Sequence, residues 1–147
     1  MVGSPYQTSE MLAKDLKFIE NFKPQMCGIG PFIPHKDTPF AQEEAGSVEL
    51  TVYLLAIIRL MLPKVLLPAT TALGSICKDG REQGILAGAN VIMPNLSPED
   101  VREKYLLYNN KLHTGSDAAE NKRLLEEQMA VIGYQVVTDR GDYPEGI

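Results

Sequence analysis

The sequence predicts an α/β fold that amounts to half of an eight-unit (βα)8 TIM-type barrel, with about four βα units plus a C-terminal helix. Three observations support this prediction. Short apolar runs alternate along the chain with longer amphipathic segments that carry helix caps. Each apolar run is nearly continuous, which suits parallel strands buried on both faces. The gaps between the runs leave room for one crossover helix each.

The first predicted unit consists of a strand tail around Gly3 and a helix that Thr8 or Ser9 caps. Lys23-Pro24 ends this helix, because the residue before a proline avoids the helical region. A strand of so few residues suggests that the chain is cut from a longer barrel. Apolar residues recur at helical spacing, as Leu12, Leu16 and Ile19.

The second predicted unit begins with the apolar run Gln25–Gly30. A long, proline-rich loop follows, from Pro31 to Gly46. Loops of this length without structure of their own are often functional. Ser47 then caps a helix whose apolar body is Val48–Met61, and Pro63 ends it.

The remaining units follow the same order. A strand is predicted at Lys64–Ala69, a helix from Gly80 to Ala87, and a strand at Ala89–Met93. Ser97 caps the next helix, with Pro98 in its first position. The end of the chain is predicted as a coil from Tyr108 to Ser116, a helix from Asp117 to Ile132, a cap at Gly133 and an extended stretch from Tyr134 to Thr138. Residues 1–138 are predicted as one domain, and residues 139–147 as a loose tail.

Composition excludes several classes of function. The 147 residues are 44% apolar and 22% charged, as in ordinary globular proteins. A net charge of −5 disfavours nucleic-acid binding. The longest apolar stretch, Val52–Leu62, contains Arg59 and is too short for a bilayer. No signal peptide is evident. We therefore expect no nucleic-acid or membrane partner, and a cytoplasmic location.

The two cysteines, Cys27 and Cys77, are far apart and neither lies in a C-x-x-C. Two reduced thiols are expected. Without a cysteine cluster, this chain by itself has no means of holding an iron–sulfur cluster or a cysteine-rich zinc site.

Candidate site residues are the polar groups that follow the strands, where barrel enzymes place their chemistry. The most informative are the hydroxyls of Thr70 and Thr71, which can donate hydrogen bonds to a carboxylate or another anion. The alternative is that they cap the turn into the next helix. The full set is Gln7, His35, Asp37, Thr70, Thr71 and Asn95.

Other candidates have simple structural alternatives. His35 has no partner at ligand spacing, so an exposed loop position is favoured over a metal role. The run from Gly28 to Pro31 lacks the third glycine of a phosphate-binding loop. We interpret it as a close approach of the backbone to a ligand or a neighbouring strand. Met26 and Met93 suit a core role. Tyr105 and Tyr108 either close a pocket mouth or pack.

Several strings resemble one family when taken in order. They are Gly3-Ser4-Pro5-Tyr6-Gln7-Thr8, Gly28-Ile29-Gly30-Pro31-Phe32-Ile33-Pro34-His35, Leu67-Pro68-Ala69-Thr70-Thr71-Ala72-Leu73-Gly74, Gly88-Ala89-Asn90 and Met93-Pro94-Asn95-Leu96-Ser97-Pro98. The chain resembles the HydE-type radical S-adenosylmethionine proteins, which mature FeFe-hydrogenase, and more distantly biotin synthase. The resemblance runs from Gly3 to about Tyr143.

This resemblance implies the C-terminal half of a barrel enzyme that uses S-adenosylmethionine and a 4Fe–4S cluster. The family holds that cluster with a C-x-x-x-C-x-x-C loop early in the chain, and this sequence lacks the loop. The parent protein is therefore expected to be an enzyme, while this fragment alone is expected to be inactive and unable to bind the cluster. Its implied partners are a small-molecule substrate and the missing N-terminal half-barrel.

Carried over position by position, the resemblance assigns Met26 and Tyr105 to the cofactor. It assigns Thr70 and Thr71 to anion binding in an internal cavity that Met93 and Tyr108 also line. Some relatives hold an accessory cluster with three further cysteines. This sequence has His113, Asn121 and Leu124 at those positions, so the accessory cluster is predicted absent.

Two alternatives stay open. The first is a fragment of biotin synthase or another relative, which changes the substrate and keeps the fold. The second is a free-standing half-barrel that serves as a binding or assembly module. In either case, the apolar strands Val65–Ala69 and Val91–Met93 would be exposed in a half-barrel. We therefore expect the fragment to self-associate.

Overall fold

The structure, a computed structural model, describes residues 1–94, 96, 108 and 118–144. The helix that Ser97 is predicted to cap falls outside these residues, as does Tyr105. No helix in the described part is long and apolar enough to cross a membrane. The helices it contains are, in chain order, α1 Ser9–Phe22, α2 Val48–Met61, α3 Thr71–Ile76, α4 Gly80–Leu86 and α5 Ala118–Val131.

Helices α1 and α2 begin at the caps that the sequence predicts. The Thr8 hydroxyl accepts a hydrogen bond from the Met11 N–H at 3.3 Å. The Ser47 hydroxyl accepts one from the Leu50 N–H at 3.1 Å. Each cap satisfies a backbone donor that the first helical turn leaves without a partner. Both predicted helices are confirmed, because short polar side chains at these positions fix where helical hydrogen bonding starts.

The predicted helix at Gly80–Ala87 is confirmed as α4, and the shorter α3 precedes it from Thr71. A Cβ at Gly80 would lie 2.4 Å from the Leu73 carbonyl oxygen. A glycine is needed there because α4 starts directly against α3. Sequence analysis missed α3, since six residues are too few to show a helical period.

The predicted strands are present as short extended segments that isolated bridges join. These bridges pair Val2 with Pro31, Met26 with Leu66, and Pro68 with Val91, all in parallel. Within the described residues no continuous strand forms, so the four predicted βα units are not confirmed as a sheet. Proline lacks the N–H that a ladder needs, and Pro31 and Pro68 each stand at a bridge. The bridges nevertheless join the segments in chain order.

The core lies between these segments and the helices. Val65, Leu67 and Ala69 alternate along one segment and are all buried. One cluster packs against α2 and α3, and a second joins Ala69 to Met129 of α5. Met26 is 50% exposed and Met93 55% exposed. The surface at these two residues, which we call the open face, is therefore only partly covered.

The end of α5 is also as predicted. Gly133 has a φ of +82°, and the Tyr134 N–H donates to the Met129 carbonyl at 2.9 Å. This left-handed cap needs a residue without a Cβ penalty. The chain then runs from Tyr134 to Gly141 along a cavity that Met26 and Leu66 also line.

Candidate functional site

A cavity of about 570 Å³ lies where the second and third extended segments end. This is the side on which barrel proteins carry their sites. We call it the threonine pocket. Most of its lining comes from the sequence positions at and after the ends of these two segments, and Met1 and Tyr108 complete it. Its lining includes Gly28, Gly30, Phe32, Ile33, His35, Thr38, Phe40, Thr70, Thr71, Ala72 and Tyr108.

The long loop forms one wall of the threonine pocket. Its base is closed by the Gly46 N–H, which donates to the Phe32 carbonyl at 2.8 Å. A Cβ at Gly46 would lie 2.2 Å from the Val2 carbonyl oxygen, so only glycine fits. The rings of Phe32 and Phe40 meet edge to face with centroids 6.3 Å apart. These contacts make the loop a compact wall, as its length and prolines suggest.

Thr70 stands at the N-cap position of α3, yet its side chain makes no capping hydrogen bond. Among the described residues its hydroxyl is buried and without a partner. A Cβ at Gly30 would lie 2.6 Å from the Thr70 hydroxyl oxygen. The close approach predicted for the glycine run is therefore an approach to the neighbouring segment, at this hydroxyl.

Thr71 and Tyr108 meet across the pocket. The Tyr108 hydroxyl donates to the Thr71 hydroxyl oxygen at 3.2 Å. The sequence left open whether Tyr108 closes a pocket or packs, and here it lines the pocket and contacts one of its threonines. Three predicted site residues, Thr70, Thr71 and Tyr108, are therefore brought together.

A buried cation lies behind this group. Arg81 of α4 is 6% exposed. Burial lowers the pKa of its guanidinium, whereas electrostatic interaction with Glu82 and with Tyr108 raises it. Sequence reasoning missed Arg81, because it sits in a polar stretch where a charged side chain is expected to face water.

His35 also lines the pocket, and a turn fixes its ring. The Asp37 N–H donates to its Nδ1 at 3.2 Å. The Thr38 hydroxyl donates to the His35 carbonyl at 2.8 Å, and the Thr38 N–H donates to the same oxygen at 3.1 Å. The expectation of an exposed loop histidine is wrong, since the side chain is 23% exposed. Nothing in the sequence string marks Thr38 and Phe40 as its neighbours in the pocket.

The other candidates lie elsewhere. Gln7 braces the N-terminal turn, because its oxygen accepts from the Gly3 N–H at 2.7 Å and its nitrogen donates to the Met1 carbonyl at 3.1 Å. Asp37 points to solvent, with its side chain 72% exposed. Met93 is exposed and lines neither of the two cavities. Asn95 and Tyr105 lie outside the described residues.

Met26 lines a second cavity, of about 460 Å³, together with Tyr134–Val137 and Asp139–Gly141 near the end of the chain. The residue assigned to the cofactor and the threonines assigned to the anion therefore belong to separate cavities of this chain. The described residues contain no group of three or more His, Cys, Asp or Glu that could hold a metal ion. Cys27 is in the core, and the Cys77 thiol donates to Asp79 at 2.9 Å. The residues described do not fit an iron–sulfur cluster.

Comparison with known proteins gives two relatives. No family model matches the chain. It is 49% identical over 112 residues to the [FeFe] hydrogenase maturase subunit HydE of Thermotoga maritima, covering 76% of this chain and 32% of that protein. It is 30% identical over 103 residues to the 3-methylornithine synthase of Methanosarcina acetivorans, covering 70% of this chain and 29% of the relative. The chain therefore spans about a third of the length of these relatives.

Proposed function

We propose, from the premise that this chain is a HydE-type radical S-adenosylmethionine sequence, that it forms part of such an enzyme's substrate cavity. In this proposal the threonine pocket binds a small carboxylate or a similar anion. The observation that carries the proposal is the buried hydroxyl of Thr70, which has no partner among the described residues.

An unpaired buried hydroxyl costs about 1–3 kcal/mol, which folding does not recover by itself. Threonine has more than one accessible χ1 rotamer, and in this proposal a change of rotamer, by about 120°, turns the hydroxyl toward the pocket. An anion oxygen that accepts its hydrogen bond would recover the cost. Thr71 and Tyr108 are already linked beside it, at 3.2 Å. The described lining has hydroxyl donors and no carboxylate, which favours an anionic ligand over a cation.

The proposal extends to the whole fold. We infer four βα units that make the C-terminal half of a barrel, a domain over residues 1–138 and a loose tail over residues 139–147. Parallel bridges in chain order support this arrangement, as does a match that covers 32% of the HydE relative. In this proposal the N-terminal half of the barrel is the partner that covers the open face at Met26 and Met93. A cytoplasmic location is part of the same proposal.

The cofactors belong to the parent protein in this proposal. S-adenosylmethionine and a 4Fe–4S cluster would supply the radical chemistry there, and this chain alone would be inactive. In this proposal the residues of this chain shape the substrate cavity and bind the anion. Met26 offers a half-exposed thioether toward the cofactor, while Tyr105 and Met93 keep their assignments to the cofactor and the substrate cavity.

Titration with sodium acetate tests the pocket. Amide shifts of the ¹⁵N-labelled chain are followed at constant ionic strength, for the wild type and for Thr70→Val and Thr71→Val. Loss of a hydrogen bond to a charged ligand is expected to weaken acetate binding about tenfold or more. Thr138→Val is the control, because Thr138 is exposed and lines neither cavity. Wild-type affinity in both pocket variants would contradict the proposal.

The two alternatives are tested by sequencing the source DNA on both sides of this chain. A reading frame that continues upstream and encodes C-x-x-x-C-x-x-C supports the radical enzyme, whether of HydE type or closer to biotin synthase. A stop codon directly upstream would favour a binding or assembly module instead. Neither alternative has an observation in its favour comparable to the 49% identity with HydE.

A further inference from the structure

We propose that His35 is a ligand-binding residue of the threonine pocket, where its Nε2–H donates a hydrogen bond to an oxygen of the bound anion. This inference rests on the proposed function of the pocket. It adds a donor from the long loop, which lines the same pocket, and assigns that loop a part in ligand selection.

The first step is the orientation of the ring. His35 begins a tight turn in which Thr38 donates twice to the His35 carbonyl, from its N–H at 3.1 Å and its hydroxyl at 2.8 Å. Within that turn the Asp37 N–H donates to Nδ1 at 3.2 Å. The Asp37 carboxylate is farther away, at 3.7 Å from the same nitrogen, which is beyond hydrogen-bonding distance. The backbone donor therefore fixes the ring.

The second step is the position of the proton. A nitrogen that accepts from a backbone N–H carries no proton of its own. A neutral imidazole then has its proton on the other nitrogen, so Nε2 is a donor. The ring lines the pocket, and only 23% of the side chain is exposed. With the imidazole in this tautomer, the turn presents Nε2–H as a donor that needs little reorientation when a ligand binds.

The third step is the chemistry that this arrangement recognises. A carboxylate has two oxygens, and each accepts more than one hydrogen bond. Thr70 and Thr71 supply donors on one wall and His35 supplies one on the other, while Phe32 and Phe40 make an apolar side. A small carboxylate with an apolar body fits such a pocket. A metal role for His35 lacks support, because no group of three ligands exists among the described residues.

Two substitutions test the roles of the two His35 nitrogens separately. His35→Asn places an acceptor near Nδ1, which keeps the contact with the Asp37 N–H and removes the pocket donor. His35→Gln places an amide donor near Nε2 and removes the loop contact. Acetate titration of each variant, followed by amide shifts, is expected to show about tenfold weaker binding in His35→Asn. His35→Gln is expected to bind more tightly than His35→Asn.

A direct readout does not depend on any variant. Long-range ¹H–¹⁵N spectra of the imidazole are expected to show the proton on Nε2, and this proton is expected to shift downfield when acetate is added. A proton on Nδ1 would overturn the inference. So would wild-type acetate affinity in His35→Asn when Thr70→Val binds weakly, a result that leaves the proposed function intact. Wild-type affinity in Thr70→Val and Thr71→Val overturns the proposed function itself.

Discussion

At the scale of single residues, Thr70 is a half-buried threonine whose hydroxyl oxygen is buried and unsatisfied within the described residues. Its hydroxyl makes no cap and has no partner among the described residues. Valine has nearly the same shape as threonine. Replacing Thr70 with valine therefore removes a buried hydroxyl that makes no hydrogen bond to offset its loss of hydration. We expect Thr70→Val to raise the free energy of unfolding by about 1 kcal/mol, measured by urea denaturation. A lower free energy of unfolding would indicate that the hydroxyl has a structural role after all.

For Asn90 we expect the opposite effect, a lower free energy of unfolding when the side chain is removed. Its side-chain oxygen accepts a hydrogen bond from the Leu67 N–H at 2.8 Å, and Leu67 is fully buried. Asn90→Ala would leave that N–H without an acceptor, so we expect a loss of about 1–3 kcal/mol in the same urea measurement. Asn90→Asp keeps an acceptor oxygen and serves as the matched control. Equal losses in both variants would contradict this account.

Gly30 and Gly28 make a second matched pair. A Cβ at Gly30 would lie 2.6 Å from the Thr70 hydroxyl oxygen, whereas a Cβ at Gly28 would meet nothing within 4 Å. Gly30→Ala is therefore expected to lower the free energy of unfolding by about 1–3 kcal/mol through overpacking. Gly28→Ala should stay within about 0.5 kcal/mol of the wild type. Thermal unfolding of both variants provides the measurement, and similar shifts in the two would refute the close contact.

Sequence analysis reached some of these residues and not others. The hydroxyls of Thr70 and Thr71 were identifiable because they directly follow an apolar run that predicts a strand. His35 was among the candidates as well, but its neighbours in the pocket were not identifiable, since they depend on a turn that leaves the ring only 23% exposed. Arg81 was missed for the same reason: local sequence does not reveal that a charged side chain on a short helix is covered by other elements.

At the scale of elements, helix ends are decided locally. The Ser47 hydroxyl accepts from the Leu50 N–H, and this cap starts α2. We expect Ser47→Ala to lower the free energy of unfolding by about 1 kcal/mol. Ser47→Asp keeps a capping oxygen and should retain most of the stability. Urea denaturation of the two variants distinguishes loss of the cap from a general effect of mutation, which would lower both alike.

The extended segments were predicted in position and overestimated in length. Apolar runs mark where they lie, because those side chains are buried against helices. Their hydrogen bonding depends on a neighbour far away in sequence. Asn90 N–H and Val91 N–H both donate to the Leu67 carbonyl, at 2.9 and 3.2 Å, while Pro68 has no N–H to offer. Single bridges result in place of the continuous ladders expected.

At the scale of the whole molecule, the open face is the feature with the clearest consequence. Met26 and Met93 are half exposed there, at 50% and 55%. We propose that this face makes the chain self-associate at micromolar concentration. Met26→Lys should weaken the association, measured by light scattering. Leu60→Lys is the control, because Leu60 is 82% exposed on α2. A wild-type chain that stays monomeric would contradict the proposal.

The sequence by itself determined the order of α1, α2, α4 and α5, the caps of α1 and α2, the glycine cap of α5 and the resemblance to HydE. These depend on residues close together in the chain, or on the order of short strings. Tertiary structure alone decided that Thr70, Thr71, Tyr108 and His35 share one pocket, and that Met26 lies in another. It also decided the pairing of the extended segments, because contacts across tens of residues depend on how the elements pack.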